Sequence, residues 1–494
     1  MNADEANALL LRLRTRNSVG SFTLGGVCMW PLFRLAVVYH VIRAASRPTV
    51  VPPGSTRTKL VKRIRSMGSG KAQRADGHYP SHAPVDLDNA VGWNLPEPDA
   101  DLLLVQSYRD FTGLENGFPF DPVAEGLTAL GARTATVSLP GHASLASKQS
   151  GLSFVQPVPR TPRFNPLEAK QFSLMLRGLA DQVLIRTRKQ IVRPIDCQSQ
   201  AIRILSLVSG WISILERLRP RAVMVQNYMN LEKLALGAAA RQLGIPLIDH
   251  QHGMFMRGAE IYLSWPDVPD GVIDPVPSHF WVWSDWFGER MPQPSRTSTF
   301  LVGGDLRRKQ PTESEPLNLP PAGRTILYLH QPIGEAETGE RAIPPRVADA
   351  IQRSPKEWQW LVRLHPRLKE RTAEARAELG GITNVVVEDA TNGSLEACLD
   401  AADVALTGSS AAAFDAIDAG VPTVFMDSVM KTRMPGTDEH PLIIFAPSED
   451  LVAVLGVPER FAPNPVFVRR DSALANAALA EVLRNPSSRS SLNG

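Results

Sequence analysis

Three short runs combine residue types and spacings that suit transfer of a group from a phosphorylated donor. In the first, Thr407-Gly408-Ser409-Ser410 follows the apolar run Asp403–Leu406 and precedes the alanine-rich stretch Ala411–Ala419. A strand that ends in glycine and serines before a helix leaves backbone N–H groups unpaired at the helix start, and such a start attracts phosphate. The hydroxyls of Ser409 and Ser410 add donors, and Asp415, about one and a half turns further along, is spaced to accept from a ligand hydroxyl. A serine at that position equally suits capping of the helix, and the two roles are compatible.

The second run is Arg363-Leu364-His365-Pro366-Arg367, at the end of another apolar stretch. Alternation along a strand puts Arg363 and His365 on one face. His365 is then able to donate to a departing phosphate, with Arg363 or Arg367 balancing its charge and Pro366 fixing the turn that aims it. The third run is Asp249-His250-Gln251-His252-Gly253. Neutral imidazole suits proton abstraction from a hydroxyl near pH 7, which makes His252 the first candidate for a base, with His250 or Asp249 as alternatives or helpers. For each histidine the plainer reading is a hydrogen-bonded structural residue. The H-x-H pair lacks a third ligand at a zinc-like spacing, so no metal is expected.

All three runs depend on strands that deliver them to a common edge. From Asp101 onward, short apolar runs alternate with helical patterns, as in a doubly wound parallel sheet. Strands are expected at Leu102–Val105, Thr134–Leu139, Ala222–Gln226 and Leu247–Asp249, with helices at Pro122–Leu130 and Leu231–Leu243 and a long helical stretch over 167–218 broken near Pro194. After the Pro-rich stretch Gln310–Pro321 the pattern resumes, with strands at Thr325–Leu329, Trp358–Leu364, Asn384–Val387, Asp403–Leu406 and Thr423–Met426. The His250, His365 and Ser409 runs all lie just past strand ends, where open α/β sheets bind ligands. Phe280–Trp286, rich in aromatic residues, reads as a half-buried strand packed in a core.

At 494 residues, with 43% hydrophobic and 21% charged residues, the chain has the material for two cores. The expected organisation is α/β: a basic N-terminal arm and linker over 1–100, one Rossmann-like lobe over 101–300 and a second over 301–494, facing across a central cleft. Cys28, Cys197 and Cys398 are far apart and match no metal or disulfide framework, which suits a reducing cytoplasm. Residues 6–75 contain thirteen Arg and Lys and no Asp or Glu. The apolar stretch inside them is interrupted by Arg34, which argues against a membrane span or a signal peptide. Two readings of this arm stay open: contact with an anionic membrane surface, with Trp30 and Phe33 at the interface, or a packed N-terminal helix followed by a solvated basic linker. No nucleic-acid-binding module is recognisable.

Together, Gln251-His252-Gly253, His365-Pro366, Ser409-Ser410 followed by Phe414-Asp415, and Gly420-Val421-Pro422 resemble bacterial capsule and surface-polysaccharide transferases of the GT-B fold, over roughly residues 100–450. The opening Gly25–Arg34 also resembles the start of some proteins from surface-carbohydrate clusters. In related sialyltransferases, polysialyltransferases and Kdo transferases, an HP pair and a serine motif bind a cytidine nucleotide donor. Glycerophosphotransferases share a similar donor lobe. The resemblance implies a metal-independent glycosyltransferase without cofactor; the localisation expected is cytoplasmic, and peripheral on the inner face of the cytoplasmic membrane if the basic arm over residues 6–75 makes that contact. The donor would be a nucleotide sugar, CMP-linked by preference, and the acceptor a growing polysaccharide or glycolipid. His365, Ser409 and Ser410 would contact the donor phosphate or cytidine, with Thr407 and Arg363 beside them and Asp415 at the ribose. The first lobe departs from the sialyltransferase pattern in having no acidic-acidic-glycine motif, for which Glu115-Asn116-Gly117 and Asp121 are substitutes behind His252. A CDP-polyol phosphotransferase, a nucleotide-sugar epimerase and a non-catalytic scaffold of an assembly complex are the alternative readings.

Overall fold

A computed structural model describes residues 3–17, 22–45, 98–106, 114–115, 118–119, 121–139, 153–154, 157–162, 164–188, 190–253, 267–290, 297–307, 322–330, 342–365, 371–389, 395–428 and 436–484, with a few single residues between them. The chain opens with α1 (Ala3–Arg16), the short pair β1 (Thr23–Leu24) and β2 (Val27–Cys28), and α2 (Trp30–Ala45). Then follow β3 (Leu102–Gln106), a small hairpin of β4 (Leu114–Glu115) and β5 (Phe118–Pro119), α3 (Pro122–Ala129), β6 (Thr134–Ser138) and β7 (Ser153–Phe154). Two long helices, α4 (Pro166–Thr187) and α5 (Pro194–Leu218), each begin at a proline, whose missing N–H costs nothing in the first turn. Each ends on an arginine in the left-handed conformation, Arg188 and Arg219. The lobe continues through β8 (Ala222–Val225), α6 (Leu231–Gln242), β9 (Leu247–His250), β10 (His279–Val282), α7 (Asp285–Arg290) and β11 (Thr299–Val302).

The second lobe contains β12 (Arg324–Leu329), α8 (Pro345–Arg353), β13 (Trp358–Leu364), α9 (Thr372–Glu378), β14 (Val385–Asp389), α10 (Leu395–Ala401), β15 (Val404–Thr407), α11 (Ala412–Asp418), β16 (Thr423–Phe425), β17 (Ile443–Phe445) and α12 (Leu451–Leu455), followed by α13 (Ser472–Arg484). The first sheet runs β11-β10-β9-β8-β3-β6-β7 and the second β14-β13-β12-β15-β16-β17, with every pairing in both parallel. Strands buried on both faces read as continuous apolar runs, which is why Leu102–Val105 and Ala222–Val225 are wholly buried. This is the two-lobed, GT-B-like α/β arrangement expected from the sequence. In each sheet the strand order reverses once, between β3 and β8 and between β12 and β15, and a ligand crevice opens at the carboxyl ends beside such a reversal.

The structure chooses between the two readings of the N-terminal arm, in favour of the packed one, and redraws two other stretches. Trp30 and Phe33 are not at any surface: α1, β1, β2 and α2 pack on α4 and α5, and Leu10, Leu13, Phe22, Trp30 and Phe33 join the core of the first lobe. Each such chain buried from water contributes about 1.5–3 kcal/mol, more than an exposed arm could recover. Arg34 goes with them, fully buried; its charge and those of Asp249 and Asp274 all act on Tyr228, whose phenol is held well above its usual range by burial first. The basic stretch 46–95 lies outside the described residues. Phe280–Trp286 packs in the core as expected, though as a buried strand, His279–Val282, that runs into α7 rather than as one half-buried strand. Finally, α13 belongs to the first lobe, where Ala475, Ala478, Leu479 and Val482 pack with Leu104, Ile248, Trp281 and Leu301.

The return of the chain from the second lobe is pinned at both ends. Asp418 on α11 accepts from the backbone N–H groups of Val466, Phe467 and Val468. Asp305 donates its backbone N–H to the Arg469 carbonyl at 2.7 Å, so the outgoing and returning crossings run side by side. Gly126 on α3 leaves room for the outgoing one: a Cβ there would stand 1.8 Å from the Leu306 carbonyl oxygen. Gly304 holds a φ of +77°, a conformation that costs glycine little.

Candidate functional site

The carboxyl edges of the two sheets face each other through an apolar seam and a ring of charges. Phe287 on α7 meets Phe414 on α11 edge-on at 5.6 Å, and Trp286 meets Phe467 at 4.9 Å. Beside this seam, Arg307 grips Asp305 with two bonds of 2.8 and 2.9 Å, and Arg470 reaches both Asp305 (3.2 Å) and Asp415 (2.9 Å). Burial alone would raise Asp305, but Arg307 and then Arg470 outweigh it and hold the carboxyl below its ordinary pKa. Asp415 ends up above the ordinary range, because burial there exceeds the pull of Arg307 and Arg470. The Arg307 guanidinium also lies over the Trp283 ring at 4.9 Å. Asp415 thus lies beside the seam, paired with Arg470.

On the first lobe, the three members of the expected catalytic group part company. Strand alternation turns Asp249 toward the face that carries Phe280, Tyr228 and Arg34, and His250 toward the face that carries Ile248 and Trp281. Asp249 is thus on the wrong side of the sheet to orient His250. His250 is wholly buried and neither ring nitrogen has a hydrogen-bond partner. Burial first, then the Arg307 and His252 charges, push its pKa down to about 3 against the pull of Asp305. A residue so sealed cannot exchange protons with an acceptor in the cleft.

His252 is different, since its side chain reaches solvent. Gln251 fixes the turn that presents it: Nε2 donates to the Gly253 carbonyl at 2.9 Å, and Oε1 accepts from the Trp283 N–H at 2.9 Å. The ring makes a hydrogen bond to the His250 backbone, which occupies one nitrogen and leaves the other for a ligand. Desolvation by the surrounding protein, followed by the Lys233 and Arg307 charges, lowers its pKa, so the ring is neutral at pH 7. Lys233 is itself buried in the first turn of α6, its ammonium donating to the Gln226 carbonyl. Asp121, a substitute candidate, is committed to structure: Oδ1 caps α3 through Val123 and Ala124, and Oδ2 accepts from Gln106 at 3.0 Å. Glu115 lies on β4, and Asn116 and Gly117 fall outside the described residues.

On the second lobe, Thr407 is buried and staples the serine turn, donating to the Leu329 carbonyl at 2.9 Å and accepting from the Ser410 N–H at 3.1 Å. The Ser410 hydroxyl accepts from Ala412 N–H at 3.4 Å, but the N-cap of α11 is Ala411, so the expected serine cap does not form; Ser409 keeps part of its surface in solvent. The helix behind them, α11, has only seven residues, fewer than the run Ala411–Ala419 suggested, so hydroxyls and turn N–H groups count for more here than a helix dipole. Arg363 lies on the face of β13 toward α10, 3.6 Å from the Cys398 sulfur. His365 follows that strand and is half-buried; Pro366 and Arg367 are outside the described residues.

Sequence reasoning missed His330. It follows β12, directly at the strand reversal of the second sheet, 2% exposed, with both ring nitrogens unpartnered. Burial first, then His365 and Arg371, lower its pKa to about 4. His330 and His365 thus approach each other beside the Thr407–Ser410 turn. The signal available beforehand was a histidine after an apolar run, the same signal that singled out His250 and His365. Gln106 and Gln226 occupy the matching reversal of the first sheet, both buried. Among the described residues, no group of three or more His, Cys, Asp and Glu side chains is placed to hold a metal ion.

Comparison with known proteins yields no matching family model and no matching curated protein. Among solved structures the chain is similar to the spinosyn rhamnosyltransferase SpnG, at 14% identity over 78% of this chain and 95% of that one, with a TM-score of 0.41. It is also similar to the glycosyltransferase SnogD from Streptomyces nogalater (15% identity, 79% and 96% coverage, TM-score 0.38) and to MurG of Acinetobacter baumannii (14%, 79% and 94%, TM-score 0.36). At such identities and scores the likeness assigns no activity or ligand to this chain.

Proposed function

We propose that the chain is a glycosyltransferase that moves a sugar from a nucleotide-activated donor, CMP-linked by preference, to a hydroxyl of a growing surface polysaccharide or glycolipid. The observation that carries this reading is the meeting of two strand reversals across one seam: His330, His365 and the Thr407–Ser410 turn on one side, His252 on the other. A donor phosphate has hydroxyl, backbone and imidazole donors on the second lobe. His252, neutral at pH 7 with one nitrogen available, takes the proton as the acceptor oxygen attacks the anomeric carbon and the nucleotide phosphate departs. Burial, with the Lys233 and Arg307 charges behind it, holds the ring in its neutral form at pH 7.

The test is thermal stabilisation by CMP, CDP, UDP, GDP and TDP at millimolar concentration, since a ligand that binds only the folded state raises the midpoint by mass action. Cytidine nucleotides should stabilise selectively, and His365→Ala should abolish the shift. His252→Gln should keep the shift while losing transfer by a factor of roughly 10²–10⁴. Preference for UDP or GDP would discard the cytidine donor, and no response to any nucleotide would discard the transferase reading.

A further inference from the structure

We propose that the outward face of α4, with its neighbours on α1 and at the start of α5, is a docking surface for an anionic lipid bilayer. Of the eight exposed large apolar side chains among the described residues, four lie on α4, Leu167, Leu174, Leu184 and Ile185, and Leu11 and Ile195 lie on the two helices that pack against it. Leu167 is 60% exposed, Leu174 58%, Ile185 76% and Ile195 69%. At the helical repeat, Leu167, Leu174 and Ile185 fall within about 20° of one another, a stripe about 27 Å long. The buried Phe172, Leu176 and Val183 lie on the opposite side of the same helix.

A helix on a protein surface normally turns polar residues outward. This one carries a second apolar stripe instead, and cations border it. Lys170 and Arg177 stand exposed about 60–80° to one side of the stripe, and exposed Arg188 closes the helix. Of the two acids on α4, Glu168 is engaged by the Gly26 N–H at 3.1 Å and Asp181 shares the exposed face. Leucine and isoleucine flanked by Lys and Arg suit the boundary between acyl chains and anionic headgroups. A second copy of the chain suits this face less well, because an antiparallel two-fold pairing of α4 about its middle would bring Lys170 of one copy toward Arg188 of the other. The stripe lies in the plane of a membrane and does not cross it: no described helix is long and apolar enough to span. This surface replaces Trp30 and Phe33, both buried, as the apolar part of a membrane contact. The proposal does not rest on the transfer reaction.

The experiment is co-sedimentation of the full chain with phosphatidylcholine vesicles containing phosphatidylglycerol, beside pure phosphatidylcholine vesicles. The wild-type chain should bind the anionic vesicles at least roughly tenfold more tightly and lose that preference as salt rises. Leu174→Asp with Ile185→Asp should weaken binding more than about tenfold with only a small change in thermal midpoint, because both side chains are mostly exposed. Lys170→Gln with Arg177→Gln should lower partition to the anionic vesicles alone. Three results would overturn the proposal: no binding by the wild-type chain, equal binding by the wild type and the Asp pair, or an Asp pair that turns a dimer into a monomer in light scattering while vesicle binding stays constant.

Discussion

At the carboxyl edge of the first sheet, Gln106, Asp249, His250, Gln251 and Ser284 are all buried; at the edge of the second, Arg363, His365, Gly408 and Ser409 keep part of their surface in water. Both edges are rich in polar groups that need partners, yet they meet that need differently. The first is sealed by pieces from far along the chain: Arg34 from the N-terminus, Asp305 and Arg307 from the outgoing crossing, and α13 from the C-terminus. The second is finished by its own turns, with Thr407 and Ser410 holding the serine loop and His330 left without a hydrogen-bond partner. A sealed edge can position one exposed side chain, His252, with little reorganisation, while an edge left open has room for a ligand to complete it.

The contrast fails most dramatically if the charges that seal the first edge are removed. Asp305→Ala leaves Arg307 and Arg470 without their shared carboxylate, and should cost about 3 kcal/mol in urea denaturation, the low end for a broken buried pair because both arginines are partly in water. A loss under about 1 kcal/mol would show that the seal depends on the aromatic seam alone.

A smaller effect separates the edges by pH. With its pKa near 3 when folded against about 6.5 unfolded, His250 refuses a proton that the unfolded chain accepts. Its contribution to stability is therefore complete above pH 6.5 and declines as pH falls toward 3, by about 2 kcal/mol at pH 5. His250→Gln should flatten that slope, measured as ΔG of unfolding between pH 7 and 5, with or without a cytidine nucleotide. His330, pushed down to about 4, loses stability over the same window, but a bound phosphate should restore part of it by pairing the charged ring.

The smallest effect lies within the open edge itself. Ser410→Ala removes one long hydrogen bond, to the Ala412 N–H, and should cost about 1 kcal/mol or less. Ser409→Ala, which loses no bond inside the protein, should leave unfolding within about 0.5 kcal/mol while weakening nucleotide stabilisation. Equal effects of the two on nucleotide binding would mean that both hydroxyls contact the ligand.

Much of the scaffold was legible in the chain. Parallel strands buried on both faces leave uninterrupted apolar runs, and Pro166, Pro194 and the Gly244-Ile245-Pro246 turn punctuate the helices between them. The position of His365 and the serine turn at strand ends followed from the same runs. Arg34 was not legible, because a cation among twelve others with no nearby acid in sequence looks solvated; Asp249 and Asp274, whose charges act with its own on Tyr228, are over two hundred residues away. His330 carried the same weak signal as the other strand-end histidines and lacked a second motif beside it. Gln106 and Gln226 carried none.

The sequence by itself determined the two parallel sheets, the identity of the edge residues and the turns that hold them, because those depend on periodicity and on neighbours a few positions apart. The tertiary structure decided which edge residues reach water. His250 and His252 are two residues apart and chemically identical, yet Trp281, Asp305 and Arg307 close over one while the Gln251-braced turn lifts the other into solvent. That choice rests on contacts between segments brought together only by folding, and burial then sets the proton affinity that any catalysis by these imidazoles would need.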